Sequence, residues 1–294
     1  MGHTLVRHHP RTRTASARPA GDQARSRARD WAEIQERMLV PLYEAAYEHL
    51  EVGARSRVLG IGCGSGLALL MAIARGARVT GVDTDGARLA LARTRLTPEP
   101  GGTPGSGGDG SDDSRVRLVE GGPEDAWDPA RPRFDVITAF QPIGCTAGDS
   151  ERLVPALEAS VPLAERGSAV VLAGWGPPER CATAAVLRVA SRLTERLRTA
   201  GGWRQTRRDD LEDVASRAGL HPDGSGRVAC PFGYADADSA VRGLLSTGLF
   251  DAAIRATDRK QVEKEITEAL HPHVQSDGTV WMPNVFRYLI ARTS

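Results

Sequence analysis

The sequence predicts an α/β fold built on a doubly wound, mostly parallel sheet, and three observations predict it. A short apolar run, Val58-Leu59-Gly60-Ile61, leads into a glycine-rich turn, Gly62-Cys63-Gly64-Ser65-Gly66. That turn opens an apolar stretch of helical length, Leu67 to Ala74. A second strand-like run, Arg78-Val79-Thr80-Gly81-Val82, then ends in Asp83. Buried parallel strands read as near-continuous apolar runs rich in β-branched residues. Glycines remove Cβ atoms where the backbone turns sharply and approaches a ligand. A helix starting at such a turn points its free N–H groups at whatever lies above it.

The glycine spacing separates the possible ligands. A phosphate loop needs Gly-Lys-Ser/Thr after its glycines, and this chain has Gly66-Leu67-Ala68. The dinucleotide pattern G-x-G-x-x-G fails at Leu67. What stands here is G-x-G-x-G, with Asp83 about 20 residues on, where a carboxylate can accept both ribose hydroxyls of a nucleoside.

The stretch Val58 to Asp85 resembles the first two motifs of the class I S-adenosylmethionine-dependent methyltransferases. Asp30-Trp31-Ala32-Glu33-Ile34-Gln35-Glu36, Phe134 to Phe140 and Pro283 to Arg292 are similar to a small-molecule branch of actinobacterial type. That branch is distantly like the ubiquinone/menaquinone methyltransferases, and the likeness runs from about residue 30 to the end. It implies a Rossmann-like, seven-stranded sheet with a helical cap and S-adenosyl-L-methionine as cofactor. It further implies methyl transfer to a small acceptor of natural-product type, in secondary metabolism. The cofactor-binding residues it implies are Gly60, Gly62, Cys63 and Gly64 in the turn, then Asp83 and Thr84, Pro123 and Glu124 in an adenine-contacting loop, and Phe140. In this family the N-terminal segment folds over the cofactor, which makes Trp31 and Gln35 candidates for lining the substrate mouth; a packing anchor is the alternative for Trp31.

Two departures from the family pattern bear on function. Gly60 stands where an acid usually precedes the glycine motif, and Gly122 where an acid usually follows the first glycine of the adenine loop. Each lost charged hydrogen bond weakens binding by about 1.5–3 kcal/mol, roughly ten- to a hundredfold, unless Glu120, Glu124 or Asp125 substitutes. These departures keep two other functions open. One is a methyltransferase-like enzyme with a non-methylating reaction such as a cyclisation, its cofactor structural or absent. The other is a non-catalytic binding scaffold.

The remaining elements follow in chain order. Residues 1–29 are rich in Arg, His, Ser and Ala, with Asp22 the only acid and no periodicity, and are expected to form a disordered basic arm. Asp30 is expected to cap a helix through Leu39, broken or kinked at Pro41, with a second helical stretch to Leu50. Ala87 to Leu96 reads as a helix. The Pro-, Gly- and Ser-rich run 98–114 reads as a flexible insertion within the domain rather than a boundary. Val116–Val119, Phe134–Thr138 and Ala169–Ala173 are the third to fifth strands. Helices are expected over Glu151–Glu165, Arg180–Leu197 and Asp210–Ala218, a strand at Arg227–Cys230, and helices over Asp236–Leu245 and Arg259–Leu270. Val280–Ala291 closes the sheet, interrupted near Pro283. Residues 176–208 and 232–275 are expected to form the cap over the pocket, within a single domain spanning 30–294.

Ligands of open α/β sheets bind outside the carboxyl ends of the strands. Gln141 and Trp175 lie at such ends, and Phe232 and Tyr234 at the cap entry, so these four are candidates for lining the acceptor site. Methyl transfer from a sulfonium needs positioning and exclusion of water rather than a nucleophile or a metal. No metal site is expected, since His271-Pro272-His273 reads as a helix end. No general base is assignable. The formal charge of +1 argues against a basic nucleic-acid binder. No apolar run reaches the ~20 residues of a membrane span. Four cysteines without a C-x-x-C pair suit a reducing, cytoplasmic setting.

Overall fold

A computed structural model describes residues 20–96, 115–146, 148–195 and 207–294. The expected insertion at 98–114 lies outside the described residues, as does most of the expected arm. The sheet strands are β1 (Arg57–Ile61), β2 (Arg78–Asp83), β3 (Val116–Glu120), β4 (Phe134–Ile143), β5 (Ala164–Trp175), β6 (His221–Ala229) and β9 (Val285–Arg292). They form a seven-stranded sheet in the order β3-β2-β1-β4-β5-β9-β6. β1 to β5 pair in parallel, and β9 runs antiparallel to both β5 and β6. A separate two-stranded ribbon joins β7 (Phe232–Tyr234) to β8 (Val280–Met282).

Strand periodicity divides the core into two. Val58, Val136, Val171 and Ile290 belong to one buried cluster, while their neighbours Leu59, Ile137, Val170 and Leu289 belong to the other. Successive side chains of a strand point to opposite faces, so covering both faces makes these strands apolar throughout. Helices α3 (Leu67–Ala74), α4 (Gly86–Leu96), α5 (Asp149–Ser160) and α7 (Asp210–Arg217) flank the sheet. A further group, α6 (Thr183–Glu195), α8 (Ala237–Ser246), α9 (Asp251–Ala256) and α10 (Arg259–Leu270), packs mutually.

The N-terminal segment departs from expectation. The chain is already helical from Ala20, as α1 (Ala20–Asp30), and Asp30 is a helical residue that makes no cap. Tertiary packing accounts for this order: Ala28 is buried, and Arg27 pairs with Asp251 at 2.9 Å from α1 to α9. A π-helical turn, Trp31–Gln35, and a 3₁₀ turn, Glu36–Leu39, then lead to α2 (Val40–His49). Pro41 sits in the first turn of α2, where its missing N–H costs nothing.

Two strands are longer than their apolar signal. β6 begins at His221 because it is an edge strand; only its end carries the apolar pattern that reads as a strand. β4 continues past Thr138, with a register shift between Ala139 and Ile143. The stretch expected as one last strand is two, since Pro283-Asn284 passes from β8 in the ribbon to β9 in the sheet. Buried Asn284 fixes that crossing: its Oδ1 accepts from Thr183 N (3.1 Å), its carbonyl from Cys230 N (2.9 Å), and its Nδ2 donates to Met282 O (3.2 Å).

Candidate active site

The site is built at the carboxyl ends of β1, β2 and β4. Gly62, Gly64 and Gly66 all have positive φ, between 58° and 79°, a region that costs other residues strain. The turn is held from within by Cys63 N donating to Val82 O (3.0 Å) and Gly66 N to Cys63 O (3.0 Å). Asp83, half-buried at the end of β2, accepts from Gly64 N at 2.7 Å through Oδ2 and from Asp85 N at 2.8 Å through Oδ1. A carboxylate has about four lone-pair sites, so both oxygens retain acceptor capacity for a diol.

Packing explains why no acid stands at residue 60. A Cβ on Gly60 would lie 2.9 Å from Leu69 Cδ2, and one on Gly81 would lie 2.5 Å from Leu69 Cδ1. Leu69 occupies that space, pressing α3 close against β1 and β2. At residue 122 the geometry differs. A Cβ there would lie 2.5 Å from both carboxylate oxygens of Glu124, so the Glu124 side chain fills the place of the missing one. Asp125 is already committed, accepting from Gly122 N at 2.9 Å, and Glu120 turns toward Gly86.

A cleft opens above the turn. Of the residues expected from sequence, Gly60, Gly62, Cys63, Gly64, Phe140, Trp31, Gln35, Gln141, Trp175 and Phe232 line it. Asp83 adjoins it through Gly64. Thr84, Pro123 and Glu124 are not among its walls; Thr84 and Glu124 are exposed and Pro123 is buried. Tyr234 is not among its walls either; it is buried behind Gln35, and its hydroxyl donates to Gln35 Oε1 at 2.9 Å. The strand irregularity in β4 brings Gln141 beside Gly62, its Oε1 3.8 Å from where a Cβ on Gly62 would be.

The end of the cleft away from the turn is aromatic. Tyr43 packs on Phe140 with ring centres 4.8 Å apart, and Phe286 on Trp175 at 4.6 Å and on Phe232 at 5.9 Å. Sequence reasoning missed Tyr43, Phe286, Thr247, Leu249, Arg88 and Glu36 as walls. Tyr43 and Phe286 carried only a core signal. Glu36 had one usable signal, its place next to Gln35 on a segment already nominated. Arg88 of α4 stacks on Trp31, 4.4 Å from the ring centre, and donates to Ser246 O at 2.8 Å.

Burial favours the protonated form of the thiols and phenols in and around the site. Burial, with the nearby charges of Asp83 and Glu36, pushes the Cys63 thiol up to about 12, and burial pushes Cys230 up to about 12. Burial also raises Tyr43 and Tyr234. A thiol whose folded value is raised stabilises the fold fully below its unfolded value and loses that stabilisation as pH climbs to the folded one. We expect the urea midpoint to fall as pH rises from 9 toward 12, less steeply in a Cys63→Ala/Cys230→Ala double variant. Equal slopes in the two proteins would refute it.

The strand order, the reversed β9 and the cleft at the strand ends define a class I, Rossmann-like methyltransferase fold. Residues 59–154 match the family described as "Methyltransferase domain". No curated protein matches the sequence. Among solved structures, a putative methyltransferase from Bacillus halodurans C-125 is 14% identical with a TM-score of 0.51, covering 85% of this chain and 97% of its own. The YcgJ protein from Bacillus subtilis is 15% identical with a TM-score of 0.50, covering 85% and 97%. A cyclopropane synthase from Mycobacterium tuberculosis is 12% identical with a TM-score of 0.50, covering 86% and 84%. At these identities the likeness is one of fold. No helix among the described residues is long and apolar enough to cross a membrane, and no group of three or more His, Cys, Asp or Glu is placed there to hold a metal ion.

Proposed function

We propose that the chain transfers a methyl group from S-adenosylmethionine to a small, largely apolar acceptor of natural-product type. The observation that carries this reading is the two-part cleft: a glycine-rich turn backed by Asp83 in one part, and an aromatic enclosure in the other. The residues present fit the cofactor. Gly62 and Gly64 leave room for close approach, Asp83 keeps acceptor capacity for the ribose hydroxyls, and Trp31 Nε1 is a buried donor with no partner among the described residues. Glu124 fills the place of a side chain at residue 122 and is assigned here to the adenine amino group. When bound, the cofactor supplies a methyl group already activated on a sulfonium. The chain's part is then positioning and exclusion of water. Phe140 and Tyr43 present aromatic surface to the cleft, which favours a cation. The packed group α6, α8, α9 and α10, with the 247–249 loop, is assigned the role of a cap that shields the acceptor.

The acceptor end is lined by Tyr43, Phe140, Trp175, Phe232, Leu249 and Phe286, which favours a flat or branched apolar molecule. Incubation with methyl-labelled cofactor and candidate acceptors tests the reaction, label in the product being the expected result. Product formed without label would favour the cyclisation reading, and no cofactor binding in calorimetry would favour a scaffold. Trp175→Ala is expected to raise the KM for the acceptor about tenfold, since truncating a buried aromatic contact costs at least ~1.4 kcal/mol. The KM for the cofactor should stay unchanged in the same variant. Equal effects on both would place Trp175 elsewhere in the reaction.

A further inference from the structure

Above Gly64 two polar atoms of the N-terminal segment have no hydrogen-bond partner among the described residues. Trp31 Nε1 is buried and has no acceptor among the described residues. Glu36 is buried, and its Oε2 is taken: Ser65 Oγ donates to it, as does Arg95 at 2.8 Å. Arg95 also donates to Ser65 O and Oγ, at 2.8 and 2.9 Å. The other oxygen, Oε1, makes no hydrogen bond among the described residues. Both unmatched atoms face one point: a Cβ on Gly64 would lie 3.1 Å from Trp31 Nε1 and 3.2 Å from Glu36 Oε1. Gly64 has no Cβ, and both side chains line the cleft.

A donor and an anionic acceptor, side by side at the rim of a nucleoside cleft, complement a zwitterion. The carboxylate suits an ammonium group and the indole N–H suits a carboxylate. A buried donor left unmatched is unfavourable, and such a ligand would relieve it. We propose that Glu36 and Trp31 clamp the α-amino-acid end of the cofactor, Glu36 Oε1 accepting from the ammonium and Trp31 Nε1 donating to the carboxylate. This rests on the cofactor reading above. It places the charge recognition that β1 cannot supply, because Leu69 fills the space at residue 60, on a segment about 25 residues upstream of that strand. The π-helical turn at Trp31–Gln35 advances the chain so that Glu36 follows Trp31 onto the cleft side. The same segment thereby closes over the turn as it recognises the ligand.

The test compares two probes by calorimetry: S-adenosylhomocysteine, which has the amino-acid end, and 5′-methylthioadenosine, which lacks it. The wild-type chain is expected to bind the first at least tenfold tighter. Glu36→Gln keeps shape and removes charge, and Trp31→Phe keeps the ring and removes the N–H. Glu36→Gln should lower S-adenosylhomocysteine affinity about ten- to a hundredfold and Trp31→Phe about three- to tenfold, each leaving methylthioadenosine affinity as it was. Equal wild-type affinity for both probes overturns the clamp while leaving the adenosine site standing. So does an unchanged affinity ratio in Trp31→Phe, which touches neither Arg95 nor Ser65 and keeps the test valid if Glu36→Gln fails to fold. Binding of neither probe to the wild-type chain overturns the cofactor reading and the clamp together.

Discussion

Asp83→Ala is expected to abolish measurable nucleoside binding at micromolar ligand, a loss of at least about a hundredfold in S-adenosylhomocysteine affinity. Two charge-assisted hydrogen bonds to the ribose would go, each worth ~1.5–3 kcal/mol. The substitution also releases Gly64 N, which Asp83 Oδ2 holds at 2.7 Å, so the turn loses one of its ties to β2 and keeps the other, Cys63 N to Val82 O. Asp83→Asn separates the two effects. An amide has a single acceptor oxygen, so it can keep the turn tied or serve the ribose, but it serves both poorly. We expect Asp83→Asn to retain most of the stability and to lose about ten- to a hundredfold in affinity. Calorimetry with the ligand and urea denaturation without it measure the two quantities. Wild-type affinity in Asp83→Ala would remove the ground for placing a nucleoside here.

Phe286→Ala is expected to be the most damaging single truncation at the acceptor end, costing about 3–5 kcal/mol of stability. Phe286 is fully buried and packs against Trp175 and Phe232, joining the sheet to the β7–β8 ribbon. It lies near the start of β9, so its loss opens a cavity where the reversed strand meets β5. The check is the urea midpoint at constant slope. A loss below ~1 kcal/mol would mean that the surrounding rings collapse into the space.

How much was legible follows from how far apart the cooperating residues lie. The strand, turn, helix and Asp83 of the nucleoside half sit within residues 57–83, and short-range residue types specify them. The aromatic half was partly legible, because Trp175 and Gln141 fall at strand ends where open sheets bind ligands. Phe286 and Tyr43 were not, since an aromatic residue in a core strand or on a buried helix face carries the same signal whether or not a cleft reaches it. Tyr234 read as a wall for the converse reason: its place in sequence beside Phe232 does not reveal that its hydroxyl turns to Gln35. The start of α1 was hidden because its order comes from packing on α4 and α8 and from the Arg27–Asp251 pair, not from a polar face with periodic apolar residues.

By itself, the sequence determined that this chain is an α/β protein with a G-x-G-x-G turn and a carboxylate at the end of the second strand. Those features depend on backbone preference and side-chain alternation over a few residues. Tertiary structure decided which distant side chains meet above that turn: Trp31 and Glu36 from the N-terminal segment, Glu124 folded over Gly122, and Phe286 from the last strand. Such meetings depend on how helices and strands pack across more than two hundred residues, where a residue's role is set by its neighbours in space.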